Sequence, residues 1–259
     1  MPGIASAFYG VAVYGFFLAT FLYAIAFVGN LPVPRTVDRG PAASLGEALV
    51  IDVLLLGLFA VQHSVMARPG FKRWWTRFVP PPVERTTYVL FASLALALLY
   101  WQWRPIPEIV WSVANPLGAA ILQAVFWLGW ALVLFSTFLI NHFELFGLRQ
   151  VWRHLQGLPQ GGLHFVTPVL YRMVRHPLYV GWLMVFWFTP VMTLTHLLFA
   201  VMTTAYILIA IQLEERDLMK AHPEYAAYRK QVPMLMPRLP RTLEVMPHME
   251  MAAAQRRTQ

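Results

Sequence analysis

The chain has 259 residues, of which 58% are hydrophobic and 12% charged. Soluble domains carry about 25% charged residues, so the composition excludes an ordinary globular protein and points to a bilayer. The formal net charge of +8 does not imply nucleic acid, because basic residues in a membrane protein mark loops that face anionic lipid. With no cysteine in the chain, disulfides and thiolate metal sites are excluded.

Apolar runs of about 20 residues fit transmembrane helices. The first spans residues 8–29. It lacks a basic leader and a small-residue cleavage site, so it reads as a retained span rather than a removed signal peptide. Further spans are expected at 45–66, 86–103 and 119–140. The next apolar stretch, Leu178 to Leu213, is too long for one ordinary helix and carries Thr189-Pro190 inside it. Proline in a helix interior breaks or kinks it, so two shorter helices, 178–189 and 194–213, are expected to form a hairpin.

Charge tests this topology. Arg68, Lys72, Arg73, Arg77 and Arg85 fall between the second and third spans, and Arg149, Arg153, Arg172 and Arg175 follow the fourth. The intervening loops hold only Arg35, Arg39 and Arg104. The positive-inside rule puts both termini and the loops after the second and fourth spans in the cytoplasm. The 178–213 segment must then enter and return on one side. Trp101, Trp103 and Trp111 fit an outer aromatic belt, and Trp74, Trp75 and Trp152 an inner one. The expected fold is all-α: a polytopic membrane helical bundle of four full spans, a C-terminal helical hairpin and a cytosolic amphipathic helix. The expected parts are a four-helix region at 1–140, a second region at 141–238 and a flexible tail at 239–259.

The polar residues of the second region have specific capacities. His176 can donate or accept a hydrogen bond near neutral pH. Pro177 suits a helix start. Tyr179 offers a ring face and a hydroxyl, and Gly181 allows close approach of a ligand or a helix. Glu214 and Glu215 stand where the last apolar helix is expected to meet water, and can face the ammonium or ribose hydroxyls of a nucleoside cofactor. Tyr225 and Tyr228 share a helical face after Pro223 and can contact a sulfonium or adenine. Each has an ordinary alternative: an interfacial helix start, a solvated charge run with Arg216 and Asp217, and packing at the lipid interface.

Taken in order, Arg175-His176-Pro177-x-Tyr179-x-Gly181, Glu214-Glu215, Tyr225-x-x-Tyr228 and Pro233 resemble the isoprenylcysteine carboxyl methyltransferase superfamily of integral membrane methyltransferases. The resemblance implies S-adenosylmethionine as methyl donor, bound from the cytosol between the hairpin and the C-terminal helix by Arg175, His176, Pro177, Tyr179, Gly181, Glu214, Glu215, Tyr225 and Tyr228. The glycine fingerprint of soluble nucleotide folds is missing, and Gly157, Gly161 and Gly162 do not supply it.

Gln62-His63-Ser64-Val65-Met66, Pro82-Val83-Glu84-Arg85-Thr86 and the segment Asn141-His142-Phe143-Glu144 through Gln150 resemble the bacterial thiol-methylating branch of that superfamily, over most of the chain to about residue 240. The branch implies an enzyme of the bacterial inner membrane that methylates methanethiol to dimethyl sulfide, with a small thiol and the lipid bilayer as partners. A thiol attacks as its thiolate, so a base is needed near the sulfonium. His63 and His142 are the expected bases, and Glu144 is expected to orient one of them. Glu84 and Arg85 are expected to close the loop above. Asp52 shares a helix face with His63 and reads as a functional or a structural buried carboxylate. His196 is given no role. Another small thiol, a prenylcysteine or a lipid acceptor remain alternatives. So does a haem- or metal-handling protein using His63, His142, His176 and Glu144, although no H-x-x-x-H spacing supports it.

Overall fold

The structure is a computed structural model describing residues 2–159 and 169–237. The expected tail at 239–259 lies outside the described residues. Helices α1 (Gly3–Val28), α2 (Leu45–Ala67), α4 (Pro81–Gln102), α5 (Pro116–Ile140) and α10 (Leu194–Ala221) are each long and apolar enough to cross a bilayer. Their outer faces carry large apolar side chains such as Leu22, Leu54, Leu128, Phe135 and Ile209. In water such faces would be unstable, and in lipid they are the expected surface. The chain is an integral membrane protein built as a helical bundle.

Local sequence sets the helix ends. Ser44 caps α2 by accepting from the Glu47 amide, the first half of a capping box. Asn115 caps α5 and Pro116 fills its first position, where the missing amide hydrogen costs nothing. The α4 helix starts at Pro81, earlier than expected, for the same reason: Pro81 and Pro82 belong to its first turn. Short helices α3 (Pro69–Trp75), α6 (His142–Leu145), α7 (Leu148–Leu155) and α8 (Val169–Met173) fill the connections at one end of the bundle.

The hairpin breaks where expected, but its two helices end elsewhere than at 189 and 213. Helix α9 (Pro177–Trp187) has 11 residues and α10 has 28. At 1.5 Å per residue α9 rises about 16 Å, short of the roughly 30 Å bilayer core, whereas α10 is a full span. Among the described residues five helices are long enough to span, one more than the four full spans expected, because the second arm of the hairpin is itself a span. Pro190 lies outside both helices. Beside it, the short strand β2 (Val191–Thr193) pairs antiparallel with β1 (Ile109–Ser112), a minor addition to an otherwise helical bundle, as the all-α expectation had it. Helix α10 continues past Leu213 because Glu, Arg, Leu, Met, Lys and Ala all favour helix. It stops at His222, whose successor Pro223 disfavours helical geometry. Helix α11 (Tyr225–Gln231) follows.

Helix α4 packs against both α1 and α2, α7 lies along α1, and α5 pairs with α9. The α5–α9 contact rests on two glycines. A Cβ on Gly129 would lie 2.9 Å from the Gly181 carbonyl oxygen, and one on Gly181 would lie 2.9 Å from that of Gly129. Small residues that let backbones meet drive helix association in lipid. Gly181 thus answers the question left by its sequence: the partner that approaches closely is a helix.

Gly129→Ala is expected to lower stability by about 1–3 kcal/mol, because the new methyl meets backbone that cannot give way. Gly15→Ala adds a methyl in open space and is expected to change stability by less than about 1 kcal/mol. Melting of the two variants in one detergent measures the contrast.

Candidate active site

Nearly all the polar residues singled out in the sequence gather at the end of the bundle formed by the close of α2, α5 and α10 and the start of α4 and α9. Their centre is Glu215, fully buried. Its Oε1 accepts from Arg175 Nε at 2.8 Å, from the Tyr225 hydroxyl at 3.3 Å and bonds His176 Nε2 at 3.1 Å. Its Oε2 pairs with Arg229 Nε at 2.9 Å. Arg175 extends the node: its Nη1 donates to the Arg229 and Val232 carbonyls at 2.8 and 2.6 Å, at the C-terminal end of α11 where a cation is favoured. The backbone amides of Arg175 and His176 donate to the Pro233 and Met234 carbonyls. The Tyr228 hydroxyl donates to the Tyr171 carbonyl at 2.6 Å. Burial pushes the Tyr171, Tyr225 and Tyr228 hydroxyls above the ordinary phenol value, so they stay protonated donors.

Glu214 points to a different neighbourhood, as adjacent helix residues must. It accepts from the Tyr179 hydroxyl at 3.1 Å, and no cation pairs with it among the described residues. Tyr206, also on α10, packs its ring edge-on against Phe59 at 6.2 Å. Its ring also faces His63 edge-on at 6.4 Å. His63 stacks on Phe59 at 5.1 Å, and its Nε2 bonds the Tyr88 hydroxyl at 2.9 Å. Its Nδ1 is buried with no hydrogen-bond partner. Arg68, one turn beyond His63, ties α2 to α10 through Asp217 at 2.9 Å.

His142 stands apart from this group. Its Nδ1 meets Thr137 Oγ1 and its Nε2 meets the Tyr14 hydroxyl, each at 2.8 Å. Thr137 spends its only hydrogen on the Leu134 carbonyl at 2.7 Å, so His142 donates from Nδ1 and accepts at Nε2. The ring also stacks on Phe138 at 4.4 Å. Burial holds its imidazole below the usual histidine value. Glu144 orients neither histidine. Its carboxylate takes Asn141 Nδ2 at 2.9 Å and Arg149 Nη1 at 2.8 Å, which closes a cap on α6 with Asn141 at φ 123°. Arg85 reaches the same corner, donating to the Leu145 carbonyl at 3.0 Å.

Pro177 opens α9 as expected, and Gly181 lies at the α5–α9 crossing. Tyr14, Phe59, Tyr88, Arg229 and Tyr206 were not singled out in the sequence. Each sits inside an apolar or charged stretch with no motif, and only packing reveals it. Among the described residues no group of three or more His, Cys, Asp or Glu converges to hold a metal.

A family model described as "Protein of unknown function (DUF1295)" matches residues 74–232. A protein from Mycobacterium tuberculosis named methanethiol S-methyltransferase is 60% identical over 88% of this chain and 94% of its own length. Another of that name, from Crocosphaera subtropica, is 57% identical over 88% of this chain and 90% of its own. The chain belongs to the methanethiol S-methyltransferase family. Nurim from Mus musculus is 35% identical over 70% of each chain. No solved structure matches.

Glu215→Leu leaves Arg175, His176 and Arg229 without their shared anion. It is expected to cost about 3–5 kcal/mol, against about 1 kcal/mol for Tyr225→Phe, by denaturant unfolding in micelles. A second outcome concerns pH. With its folded value lowered, His142 resists a proton that the unfolded chain accepts, so stability falls as pH drops through about 6.5. Melting temperature measured from pH 7.5 to 5.5 is expected to fall less steeply in His142→Gln than in the parent chain.

Proposed function

We propose that this protein methylates methanethiol to dimethyl sulfide, with S-adenosylmethionine as donor and His63 as the base. The observation that carries the reading is the pairing of an orphaned buried imidazole nitrogen, His63 Nδ1, with a carboxylate, Glu214, that no cation neutralises among the described residues. Tyr206, on the helix that carries Glu214, meets the His63 ring edge-on. The names of the related proteins support the acceptor.

The residues fit a cationic donor. Glu214 supplies the negative charge, and the faces of Tyr179 and Tyr206 suit a sulfonium. The donor supplies an electrophilic methyl group on a positively charged sulfur. His63 accepts the thiol proton at Nδ1, which converts the acceptor to its attacking form. Tyr88 fixes the ring by accepting from Nε2 and keeps Nδ1 free to act. Phe59 packs on the ring face and excludes water from the thiolate. Tyr179 holds Glu214 in place through its hydroxyl. Arg175, His176, Glu215, Tyr225 and Tyr228 act as positioning residues: their node fastens α11 and the 232–234 segment beside the donor site. His142 and Glu144 have structural roles in this reading, because both are fully engaged with other partners. The basic residues at this end, Arg68, Lys72, Arg73 and Arg77 among them, support a cytoplasmic location for it and for both termini, in a bacterial inner membrane.

The test is expression in a host lacking the activity, fed methanethiol, with dimethyl sulfide measured in the headspace. Parent protein is expected to make the sulfide. His63→Ala is expected to lose about 100- to 10,000-fold in rate while melting near the parent temperature, and His142→Gln to lose far less. Glu214→Gln is expected to raise the KM for S-adenosylmethionine more than it lowers kcat. A folded His63→Ala variant with undiminished rate sinks the assignment of the base, and folded parent protein that makes no sulfide sinks the acceptor.

A further inference from the structure

At the end of the bundle away from the candidate site, a groove of about 370 Å³ opens between α1 and α4. Phe16, Ala19, Thr20 and Tyr23 form one wall, and Ala97 and Tyr100 the other. From Phe16 to Tyr23 the α1 wall is about 10 Å long, so the groove runs from mid-span toward the end of the helix. Arg35 stands in that end. Its backbone is fixed, its amide donating to the Tyr23 hydroxyl at 3.3 Å and its carbonyl accepting from that hydroxyl at 3.1 Å.

The guanidinium is another matter. Its Nη1 is buried and has no hydrogen-bond partner, and no carboxylate pairs with it among the described residues. The neighbouring arginines are occupied: Arg39 donates to the Asn30 and Leu31 carbonyls, and Arg104 to the Gln102 carbonyl. A buried N–H of a cation left without an acceptor is costly, more so at the edge of a bilayer. Trp101, 62% exposed and also lining the groove, marks the depth of the headgroups. At that depth phosphate is the abundant anion, and a guanidinium matches it with paired donors.

We propose that this groove is a binding site for an anionic phospholipid, with its phosphate on Arg35 and one acyl chain along Phe16, Ala19 and Ala97. The wall composition accounts for the chain. Ala19 and Ala97 keep the groove open by their small size, and only Thr20 brings a side-chain hydroxyl to its deeper part, where that hydroxyl donates to the Phe16 carbonyl at 2.8 Å. The phosphate supplies the acceptor that Arg35 Nη1 lacks.

The experiment purifies the full chain in mild detergent, measures retained phospholipid by native mass spectrometry, and follows melting temperature as lipid is added back. Parent protein is expected to retain phospholipid and to melt higher with phosphatidylglycerol, because a ligand that binds only the folded state stabilises it. Arg35→Gln is expected to lose both the retained lipid and the shift. Ala97→Leu fills the groove while keeping the guanidinium, and is expected to lose them too. Arg77→Gln, an exposed arginine at the other end, is expected to keep them. Inorganic phosphate alone is expected to give no shift. The proposal is overturned if Arg35→Gln or Ala97→Leu retains lipid like the parent, if inorganic phosphate reproduces the shift, or if the parent neither retains phospholipid nor melts higher with phosphatidylglycerol.

Discussion

A carboxylate among apolar helices must be neutralised where it stands, and the end of this bundle is organised around that requirement at Glu215. Arg175 and His176 come from the start of α9, Tyr225 and Arg229 from α11, and all converge on the two oxygens of one side chain. Three hydrogen bonds on one oxygen and an ion pair on the other offset the desolvation cost that a lone pair of charges leaves unmet. The consequence is geometric. Arg175 is held by Glu215 and itself holds the carbonyls of α11 and Val232, so the segment after α11 is pinned across the head of α9. Met234 and Leu235 then pack onto the main apolar core. A single buried anion therefore fixes the chain on one side of the site.

Adjacent glutamates consequently have opposite characters. Glu215 has three hydrogen bonds on one oxygen and an arginine ion pair on the other, while Glu214 has the Tyr179 hydroxyl for a partner and no cation among the described residues. The same contrast separates the histidines. His142 has both nitrogens committed by the chain of hydrogens from Thr137 and Tyr14, and His63 has only one committed. Chemistry requires a group with something left to do, which is why the unsatisfied members, Glu214 and His63, make the stronger candidates although the sequence offers their neighbours equally.

That distinction also explains what was legible beforehand. Spans were legible because lipid selects long apolar runs regardless of tertiary partners. The break near Pro190 and the helix start at Pro177 were legible because proline acts locally. The extension of α10 to Ala221 was hidden because apolarity ends at Leu213 whereas helix propensity continues through a charged stretch. The β1–β2 pair was hidden because its strands lie far apart in sequence. In the site, His63, Glu214, Glu215 and Arg175 stood out as polar groups at helix ends. Tyr206, Tyr88 and Phe59 did not, since an aromatic residue in an apolar helix looks the same whether it faces lipid or a ligand. Glu144 was read as a partner for histidine because the sequence shows proximity and not direction. Its actual partners, Asn141 and Arg149, follow from the tight turn at Asn141.

Helix α2 shows how the bundle holds His63 without a supporting loop. At one end Asp52, fully buried, accepts from the Arg104 amide at 3.0 Å, just past the end of α4. At the other, His63 meets Tyr88, near the start of α4. The helices are thus tied twice, eleven residues apart along α2, and rotation of α2 about its axis would break both ties together. Arg68 adds a third connection, to Asp217 on α10. In the proposed role of His63 as base, a helix restrained in this way would keep the imidazole's direction without an ordering cost at the moment of reaction. The polar residues of α2 that look dispersed along the sequence act as a single restraint: Asp52 sets the depth and rotation at which His63 presents its free nitrogen.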